Sequence, residues 1–350
     1  MSWKLFKIPD LIHHIFSHAA FLSRSDSTID IILNPYAGAF RRPDLLLNLQ
    51  RHFEEFLRVL PNQSYFPEKV FLRQTSSPND EYQIVKDIIR SHDSEKHRLV
   101  VIAGGDGTAN KVLSAFLLET PKAREGLLFF RLPLGTGNDF ADAPDLSTVF
   151  KILMGRAEPL YPPYLEYKAN GQPHGFGFNI GSIGLDAWVV KTNEKLRKIL
   201  PGNFYKIAAD IAGLFYEANA KPGALKAEYF FQGKKVGESD GRFLLTAFAP
   251  DGYRTYGGGI KVLPGEENLC RISPVSLMTF FTLKSNFYKG LHPREIFTTM
   301  IKFDRVVFYA EKRLVAQHDG EIFWLEPEMC PYEVRVLPGD LGFLRYSSSK

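Results

Sequence analysis

Residues 98–112 of the chain have the sequence RLVVIAGGDGTANKV, in which an apolar run enters a glycine-rich turn that holds one carboxylate. The apolar run predicts a buried strand, and the segment that follows the glycines predicts a helix. Such a turn exposes consecutive backbone N–H groups beside a helix N-terminus, where phosphate binds well. Asp106 would repel a phosphate there, so the turn indicates Mg²⁺ between the carboxylate and a polyphosphate. The alternative is a tight turn in which Asp106 caps the helix.

Strand and helix patterns alternate through the first part of the chain. The strand patterns lie at 29–33, 68–75, 98–103 and 127–134. Helix patterns, such as residues 42–60, separate them. This alternation predicts parallel βαβ units and a sheet covered by helices. Ligands bind such sheets outside the carboxyl ends of the strands, and the glycine-rich turns fall at that edge.

The pattern changes after about residue 160 to short strand-like runs that are separated by turn residues and rich in aromatics. These runs predict an antiparallel β domain. Helical stretches near 191–218 and 276–288 interrupt it. Residues 332–346 are compatible with completing either domain.

Length and composition restrict the class of protein. A chain of 350 residues favours two domains. Only two cysteines, Cys270 and Cys330, argue against a disulfide scaffold and fit a reducing compartment. A net charge of +4 is too weak to indicate nucleic acid, but it suits phosphate ligands or an anionic membrane surface. Every apolar run is shorter than the roughly 18 residues that a membrane span needs.

Residues 1–27 form an N-terminal extension that mixes apolar residues with lysine and histidine. Charge and Pro9 interrupt it too often for a signal peptide. Two interpretations stand with equal weight. The segment lies on a membrane surface as a basic amphipathic helix, or it packs on the first domain as an additional helix.

Two further loops share the character of GGDGT. LPLGTGNDFA at 132–141 joins a strand end to glycines, a hydroxyl, an amide and a carboxylate, and NPYAG at 34–38 adds a third turn. Three such loops within one α/β unit point to a single crevice. The chain lacks GxxxxGK[ST], which excludes a P-loop NTPase, and its glycines do not fit GxGxxG.

These motifs resemble the diacylglycerol kinase catalytic-domain family, which includes bacterial lipid kinases and sphingosine kinases and is distantly similar to NAD kinases. FNIGSIGLDA at 178–187, YGGGIKVLP at 256–264 and HDGE at 318–321 extend the resemblance to most of the chain from about residue 28. The resemblance implies an N-terminal α/β nucleotide-binding domain, a C-terminal antiparallel β-sandwich and an active site in the cleft between the domains. We expect the first domain over 28–145, completed by about 331–350, and a lipid-substrate domain over 146–330.

The resemblance also implies the residues of the site. The nucleotide would be held by Asn34, Pro35, Gly38, Thr75, Gly104, Gly105, Asp106, Gly107, Thr108, Asn110, Lys111, Gly135, Thr136 and Asn138. Asp106 and Asp139 would hold or organise Mg²⁺, and Asp319 or Glu321, with Glu321 favoured, would act as base on the substrate hydroxyl. A plain hairpin turn at His318–Gly320 is an alternative that is compatible with this role.

The chain departs from the family at two places. Lys111 stands where many relatives carry glutamate, which either helps to neutralise phosphate charge or signals altered chemistry. The segment 264–274 lacks the aspartate–glycine pattern of a structural Mg²⁺ loop, so the sequence leaves the existence of such a site open.

The leading hypothesis is an ATP- and Mg²⁺-dependent kinase that phosphorylates a hydroxyl of a diacylglycerol-like or sphingoid lipid. A soluble kinase of the NAD kinase type and a catalytically silent nucleotide- or lipid-binding regulator are the alternatives. We expect a cytoplasmic protein that associates peripherally with membranes, through residues 1–27 or through Phe204–Tyr216, and exposed strand edges would permit a homodimer. The aromatics of the second domain could accept acyl chains, although an ordinary core position is the favoured interpretation for each one.

Overall fold

The computed structural model describes residues 8–17, 27–41, 43–59, 69–77, 79–94, 96–132, 134, 141–143, 145–199, 223–256 and 259–347. Its contacts divide the chain into two compact units. The first unit comprises Met1–Pro162 and Gly339–Lys350, and the second comprises Pro163–Pro338.

The first unit is built on a six-stranded sheet. Numbered in chain order, its strands are β1 (Thr28–Leu33), β2 (Lys69–Gln74), β3 (Arg98–Ala103), β4 (Leu127–Arg131), β5 (Ala157–Leu160) and β20 (Gly342–Tyr346). The strand order is β2-β1-β3-β4-β20-β5. All neighbours pair in parallel except β5, which is antiparallel to β20. The predicted parallel α/β domain is therefore confirmed.

Helices cover this sheet. They are α1 (Ile8–Phe16), α2 (Pro43–Val59), α3 (Asp80–Arg90), α4 (Asp106–Leu117) and α5 (Leu146–Leu153), with short 3₁₀ helices at Gly38–Arg41 and Pro121–Arg124. Pro43 begins α2, where its fixed φ suits the first helical turn. The ring of Phe116 on α4 meets that of Phe129 on β4 edge to face, with centroids 4.9 Å apart. This apolar packing holds α4 against the strands that precede and follow it.

The N-terminal helix α1 packs on the first unit. Ile12, Ile15 and Phe16 are buried in the same apolar cluster as β1 and β3. The imidazole Nε2 of His13 lies 3.1 Å from the carbonyl oxygen of Val70 on β2. For Ile8–Phe16 the structure shows the packed helix, whose apolar face is covered by the first unit.

The second unit contains two six-stranded antiparallel sheets and one hairpin. Its strands are β6 (Tyr164–Ala169), β7 (Gln172–Gly177), β8 (Gly181–Gly184), β9 (Leu225–Phe231), β10 (Lys234–Ser239), β11 (Leu245–Phe248), β12 (Arg254–Tyr256), β13 (Ile260–Leu263), β14 (Leu269–Ile272), β15 (Thr298–Ile301), β16 (Arg305–Ala310), β17 (Leu314–His318), β18 (Glu321–Leu325) and β19 (Tyr332–Leu337). One sheet has the order β10-β9-β16-β19-β6-β7, the other β15-β14-β11-β8-β17-β18, and β12 pairs with β13.

The two sheets pack face to face as the predicted sandwich. Tyr167, Phe248 and Phe308, from both sheets, share one fully buried core. Helices α6 (Leu185–Ile199) and α7 (Leu277–Lys289) cover the outer face of the sheet that contains β11. The sequence placed the first of these helices near 191–218, but it begins at Leu185, and residues 200–222 lie outside the described part. The membrane contact through Phe204–Tyr216 therefore remains a prediction, since these residues lie outside the described part.

Two segments near the domain boundaries lie differently from their predicted places. Residues 146–162 form α5 and β5, which pack on the first sheet, so they stand with the first unit. In the last segment, β19 pairs with β16 and β6 of the second unit, whereas β20 lies parallel to β4 of the first. The chain therefore returns at Gly339, since only the residues after it join the first sheet.

Candidate functional site

Three strands of the first unit end at the same level. Leu33 of β1 is paired with Gln74 of β2 on one side and with Ala103 of β3 on the other. Asn34, Thr75 and Gly104 each follow directly after one of these strands. This register places three predicted site residues at the carboxyl edge of the parallel sheet, which is the ligand-binding edge of such folds.

The loop after β1 is tied to the helix after β3 through Asn34. Its Nδ2 donates to Thr108 Oγ1 at 2.8 Å, and its Oδ1 accepts from the Tyr36 N–H at 2.9 Å. Its own N–H donates to the Ala103 carbonyl at 3.0 Å. Asn34 thereby fixes the turn that contains Pro35 and the start of α4 relative to each other. Gly38 lies at the far end of that turn, where the 3₁₀ helix Gly38–Arg41 begins.

The glycines after β3 allow α4 to start close to the sheet. A Cβ at Gly104 would lie 2.7 Å from the Cβ of Thr108, a distance that real side chains do not tolerate. Gly105 is the N-cap, in extended conformation, and its carbonyl accepts the Ala109 N–H at 3.0 Å. Because the first helical bond involves Ala109, the amides of Asp106, Gly107 and Thr108 have no acceptor within the helix. A helix N-terminus of this kind is a general binding place for anions.

At the start of α4, Gly105 occupies the cap position and Asp106 is the first residue of the helix. Asp106 is partly buried. A divalent cation would let this carboxylate and a phosphate share the same helix end.

The remaining predicted residues of this edge lie around α4 and β2. Thr75 is buried, and its N–H donates to the Leu33 carbonyl at 2.9 Å. Asn110 accepts from the Ser114 hydroxyl at 3.3 Å, one helical turn further on. Lys111 is half-exposed on the second turn of α4. Thr75 therefore supports the loop between β1 and α2.

The second glycine-rich loop is anchored at its base. Asp142 accepts the backbone N–H of Arg131 at 2.7 Å and pairs with the Arg131 guanidinium at 2.6 and 3.0 Å. Arg345 of β20 adds a third contact to the same carboxylate, at 2.9 Å. Gly135, Thr136, Asn138 and Asp139 lie outside the described residues. The two ends of the loop that contains them are held at the carboxyl end of β4.

Sequence reasoning missed the Asp142 network. Its only signal is the second carboxylate in NDFADAP, which was passed over in favour of Asp139. Arg131 stacks on Phe343 of β20, with its guanidinium carbon 4.2 Å from the ring centroid. Strand β20 thus supports the base of this loop through two residues, Arg345 and Phe343.

In the second unit, Asp319 and Gly320 form the two-residue turn between β17 and β18. Their φ angles are 48° and 90°, and His318 is paired with Glu321 across the turn. The Asp319 carboxylate accepts three backbone N–H groups, from Phe178 at 2.7 Å, Asn179 at 2.9 Å and Ile180 at 3.0 Å. The hairpin interpretation of this triplet is correct. Asp319 joins the turn to the loop before β8, so its carboxylate is engaged in holding the backbone.

Glu321 differs from Asp319 because it is exposed at the first position of β18. The turn beside it is fixed from below by buried Gln317, whose Oε1 accepts the Gly320 N–H at 2.8 Å and whose Nε2 donates to Ser182 Oγ at 2.9 Å. Ser182 in turn donates to Asp186 Oδ2 at 2.6 Å. Of the two acids in the triplet, Glu321 is the one whose carboxylate faces solvent.

His318 is embedded in an aromatic cluster under this turn. Its ring stacks on Tyr167 with centroids 3.5 Å apart, and its Nε2 lies 2.6 Å from the Tyr332 hydroxyl. Burial, together with the nearby His174, holds the pKa of His318 well below its ordinary value. The imidazole is therefore neutral at physiological pH, and its contacts mark it as a core residue.

Within the described ranges, no three or more histidine, cysteine, aspartate or glutamate side chains cluster in a way that could hold a metal ion. Among the helices that the structure describes, none is both long and apolar enough to cross a membrane.

Comparison with known proteins supports the resemblance that the motifs predicted. Residues 29–155 match the family model of the diacylglycerol kinase catalytic domain. The "Probable lipid kinase YegS-like" of Cronobacter sakazakii is 35% identical over 116 residues, which are 31% of this chain and 36% of the relative. The relative of the same name in Pseudomonas syringae pv. tomato is 28% identical over 266 residues, or 72% of this chain and 77% of the relative.

The match to the first of these relatives thus spans little more than a third of its length. Solved structures extend the likeness of the fold. A diacylglycerol kinase from Bacillus anthracis str. Sterne covers 93% of this chain and 98% of its own, with a TM-score of 0.56 and 16% identity. Another structure from that organism has a TM-score of 0.61 and 19% identity over the same shares. The predicted resemblance to the diacylglycerol kinase catalytic-domain family is confirmed.

Proposed function

We propose that this chain is a lipid kinase that transfers the γ-phosphate of ATP to a lipid hydroxyl. One observation carries the proposal: β1 and β3 end in register, and Asn34 joins the loop after β1 to the glycine-started helix α4. Such an edge presents backbone amides and a helix N-terminus to a polyphosphate. The family match over residues 29–155 and the lipid kinase relatives support it.

Mg²⁺ is part of the proposal. The donor set fits a hard cation, since Asp106 supplies a carboxylate oxygen next to phosphate-binding amides. Asp139 is proposed as the second carboxylate. When bound, the ion would supply positive charge against the phosphates, and Asp106 and Asp139 would hold it. The helix N-terminus of α4 orients the phosphates, and the half-exposed Lys111 adds positive charge on the same helix.

Glu321 is the proposed base. The lipid hydroxyl oxygen forms a bond to the γ-phosphorus, the bond from that phosphorus to the β-phosphate oxygen breaks, and ADP leaves. The hydroxyl proton passes to the Glu321 carboxylate. Exposure leaves this carboxylate able to accept a proton, whereas that of Asp319 holds three backbone amides. Asp319 is proposed as a positioning residue for the turn.

The second unit contains a small apolar cavity between α6, α7 and the strands under them. It is lined by residues such as Val189, Leu245, Leu283 and Phe287, with Asp186 at its wall. The GGDGT turn alone also fits a soluble kinase of the NAD kinase type, so the choice of a lipid acceptor rests on the family match and on the lipid kinase relatives.

The test presents labelled ATP and Mg²⁺ to the full chain with detergent-dispersed diacylglycerol, ceramide, sphingosine and monoacylglycerol, and with NAD in a parallel reaction. We expect label on one of the lipids and none on NAD. Label on NAD alone would assign the chain to the soluble kinases. No transfer, with ATP still bound, would instead support the regulator.

A further inference from the structure

Helix α7 carries large apolar side chains on the face that points away from the protein. Phe280, Leu283 and Phe287 are buried against the second unit. On the opposite face, Met278 is 80% exposed and Phe281 is 46% exposed. Spaced three residues apart, these two side chains lie on one side of the helix.

A third apolar side chain stands beside this helix. Ile296 is fully exposed in the turn before β15. That turn is tied to α7 at two points: the Phe297 carbonyl accepts the Ser273 N–H at 2.9 Å, just before the helix, and Asn286 Nδ2 donates to Glu295 Oε1 at 2.6 Å. We call Met278, Phe281 and Ile296 the α7 patch. These three side chains are exposed on a helix and on a turn that hydrogen bonds tie to it.

The chain segment that carries the α7 patch is rich in basic residues. Residues 273–302 contain Lys284, Lys289, Arg294 and Lys302 but a single acid, Glu295, which is hydrogen-bonded to Asn286. Lys289 and Arg294 are exposed. Lys261 lies beside the end of the helix, since its Cδ would be 3.2 Å from a Cβ at Gly290. Apolar side chains beside a basic rim match an anionic membrane surface, where the former enter the interface and the latter meet the headgroups.

The position of the α7 patch on its helix also favours a lipid surface as the partner. The same helix that exposes Met278 and Phe281 lines the apolar cavity with Phe280, Leu283 and Phe287 on its other side. A second copy of the chain fits less well, because a symmetric contact through the patch would bring Lys289 and Arg294 of both copies together. A like-charge contact of that kind is unfavourable.

We propose that the α7 patch and its basic rim are the surface by which this chain docks on an anionic lipid bilayer. The choice of a lipid surface rests on the proposed function, but the docking itself does not depend on catalysis. The proposal replaces α1 as the contact, since the apolar face of α1 is buried in the first unit.

The test measures sedimentation of the full chain with vesicles of phosphatidylcholine alone or with roughly a third phosphatidylglycerol. We expect binding to the anionic vesicles only. Met278→Asp together with Phe281→Asp should weaken it by about tenfold or more. Lys289→Glu with Arg294→Glu should remove the preference for anionic lipid. Val236→Asp and Lys234→Glu, exposed on β10, are the matched controls and should bind as wild type.

Turnover of a short-chain, monomeric diacylglycerol separates docking from catalysis. The patch variants should retain it, because neither Met278 nor Phe281 lines the cavity, while their turnover of vesicle-borne lipid should fall. If no lipid is phosphorylated but the vesicle results hold, the proposed function fails and the docking surface stands. Wild type that ignores anionic vesicles, patch variants that bind like wild type, or a wild-type dimer that the patch variants split would each overturn the proposal.

Discussion

At the scale of single residues, the two acids of the DGE triplet have separate tasks. Asp319 accepts three backbone amides and so joins the β17–β18 turn to the loop before β8. Glu321 is exposed on the neighbouring strand. A carboxylate that satisfies buried amides contributes to stability, whereas an exposed one contributes little. The triplet thus combines an acid that holds backbone amides with an acid that is exposed.

The two variants should therefore impair different properties. Asp319→Asn should lower stability, and Glu321→Gln should slow phosphoryl transfer. The Asp319→Asn side chain would turn its NH₂ group towards at least one backbone N–H, so the free energy of unfolding should fall by about 1–3 kcal/mol. Glu321→Gln should leave that free energy within about 0.5 kcal/mol but slow phosphoryl transfer by about 10²–10⁴-fold. Urea unfolding and steady-state kinetics on both variants check this. Equal stability losses would refute the division of roles.

The candidate site residues could be predicted from the sequence. The residues that hold the site loops in place could not. GGDGT and HDGE stand out because glycines flank an acid. Asp142, which anchors the second loop through Arg131 and Arg345, gives no such signal, since its partners are distant in sequence and meet it only in the folded sheet.

At the scale of elements, the start of α4 decides whether the sheet edge can hold a phosphate. Gly104 lets β3 pass directly into the helix, because a side chain there would collide with Thr108. Thr108 is itself bonded to Asn34, so the collision would be transmitted to the loop after β1. Direct contacts therefore link the helix, the glycine before it and the loop after β1.

Gly104→Ala should raise the dissociation constant for ATP by about tenfold or more and cost about 1–3 kcal/mol of stability. Its Cβ must displace the Cβ of Thr108, which is attached directly to the backbone of the first helical turn and is not the tip of a flexible side chain. Titration calorimetry measures the affinity. Gly237→Ala, with its nearest atom 3.8 Å away, is the control and should change neither quantity. An unaltered ATP affinity in Gly104→Ala would contradict the proposed role of this glycine turn in binding ATP.

Strands β1 to β4 and helices α2 to α4 could be predicted closely because their periods of apolar residues are regular, whereas α5 and β5 were not predicted in the first unit. The N-terminal helix shows the limit of that method. Its mixture of apolar residues and histidines suits a membrane surface and a protein surface equally, and only the burial of Ile12, Ile15 and Phe16 decides between them.

At the scale of the whole molecule, the chain crosses between its units at Pro162–Pro163 and again at Pro338–Gly339. Gly339 lies against the first crossing, because a Cβ there would be 2.2 Å from the Tyr161 carbonyl oxygen. The sequence predicted two units but could not give these limits. The turn residues around 145 resemble a linker, and the pairing of β5 with β20 that retains 146–162 in the first sheet involves residues far apart in sequence.

The second unit should lose stability in mild acid. Burial lowers the pKa of His292 from 6.5 to about 4, and burial also lowers that of His318. Unfolded histidines bind protons below about pH 6.5 and these folded ones do not, so stability is complete above that pH and falls as the pH approaches 4. Each contributes a slope of at most about 1.4 kcal/mol per pH unit.

Tryptophan fluorescence during urea unfolding measures this effect, because Trp188 and Trp324 both belong to the second unit. His292→Phe would retain the stacking on Phe287, whose centroid lies 4.1 Å away, and should flatten the pH dependence between 6.5 and 4. A pH slope that is the same in this variant and in wild type would show that His292 is not its source.

The proposed kinase holds Mg²⁺ and ATP at the edge of the parallel sheet for transfer of the γ-phosphate to a lipid. This can be measured as the rate of labelled γ-phosphate transfer to dispersed diacylglycerol, against Mg²⁺ concentration, for wild type and Asp106→Asn. We expect strict Mg²⁺ dependence in wild type and a rate lower by about 10²-fold or more in the variant, with its fold intact. Equal rates and equal Mg²⁺ dependence in the two proteins would contradict it.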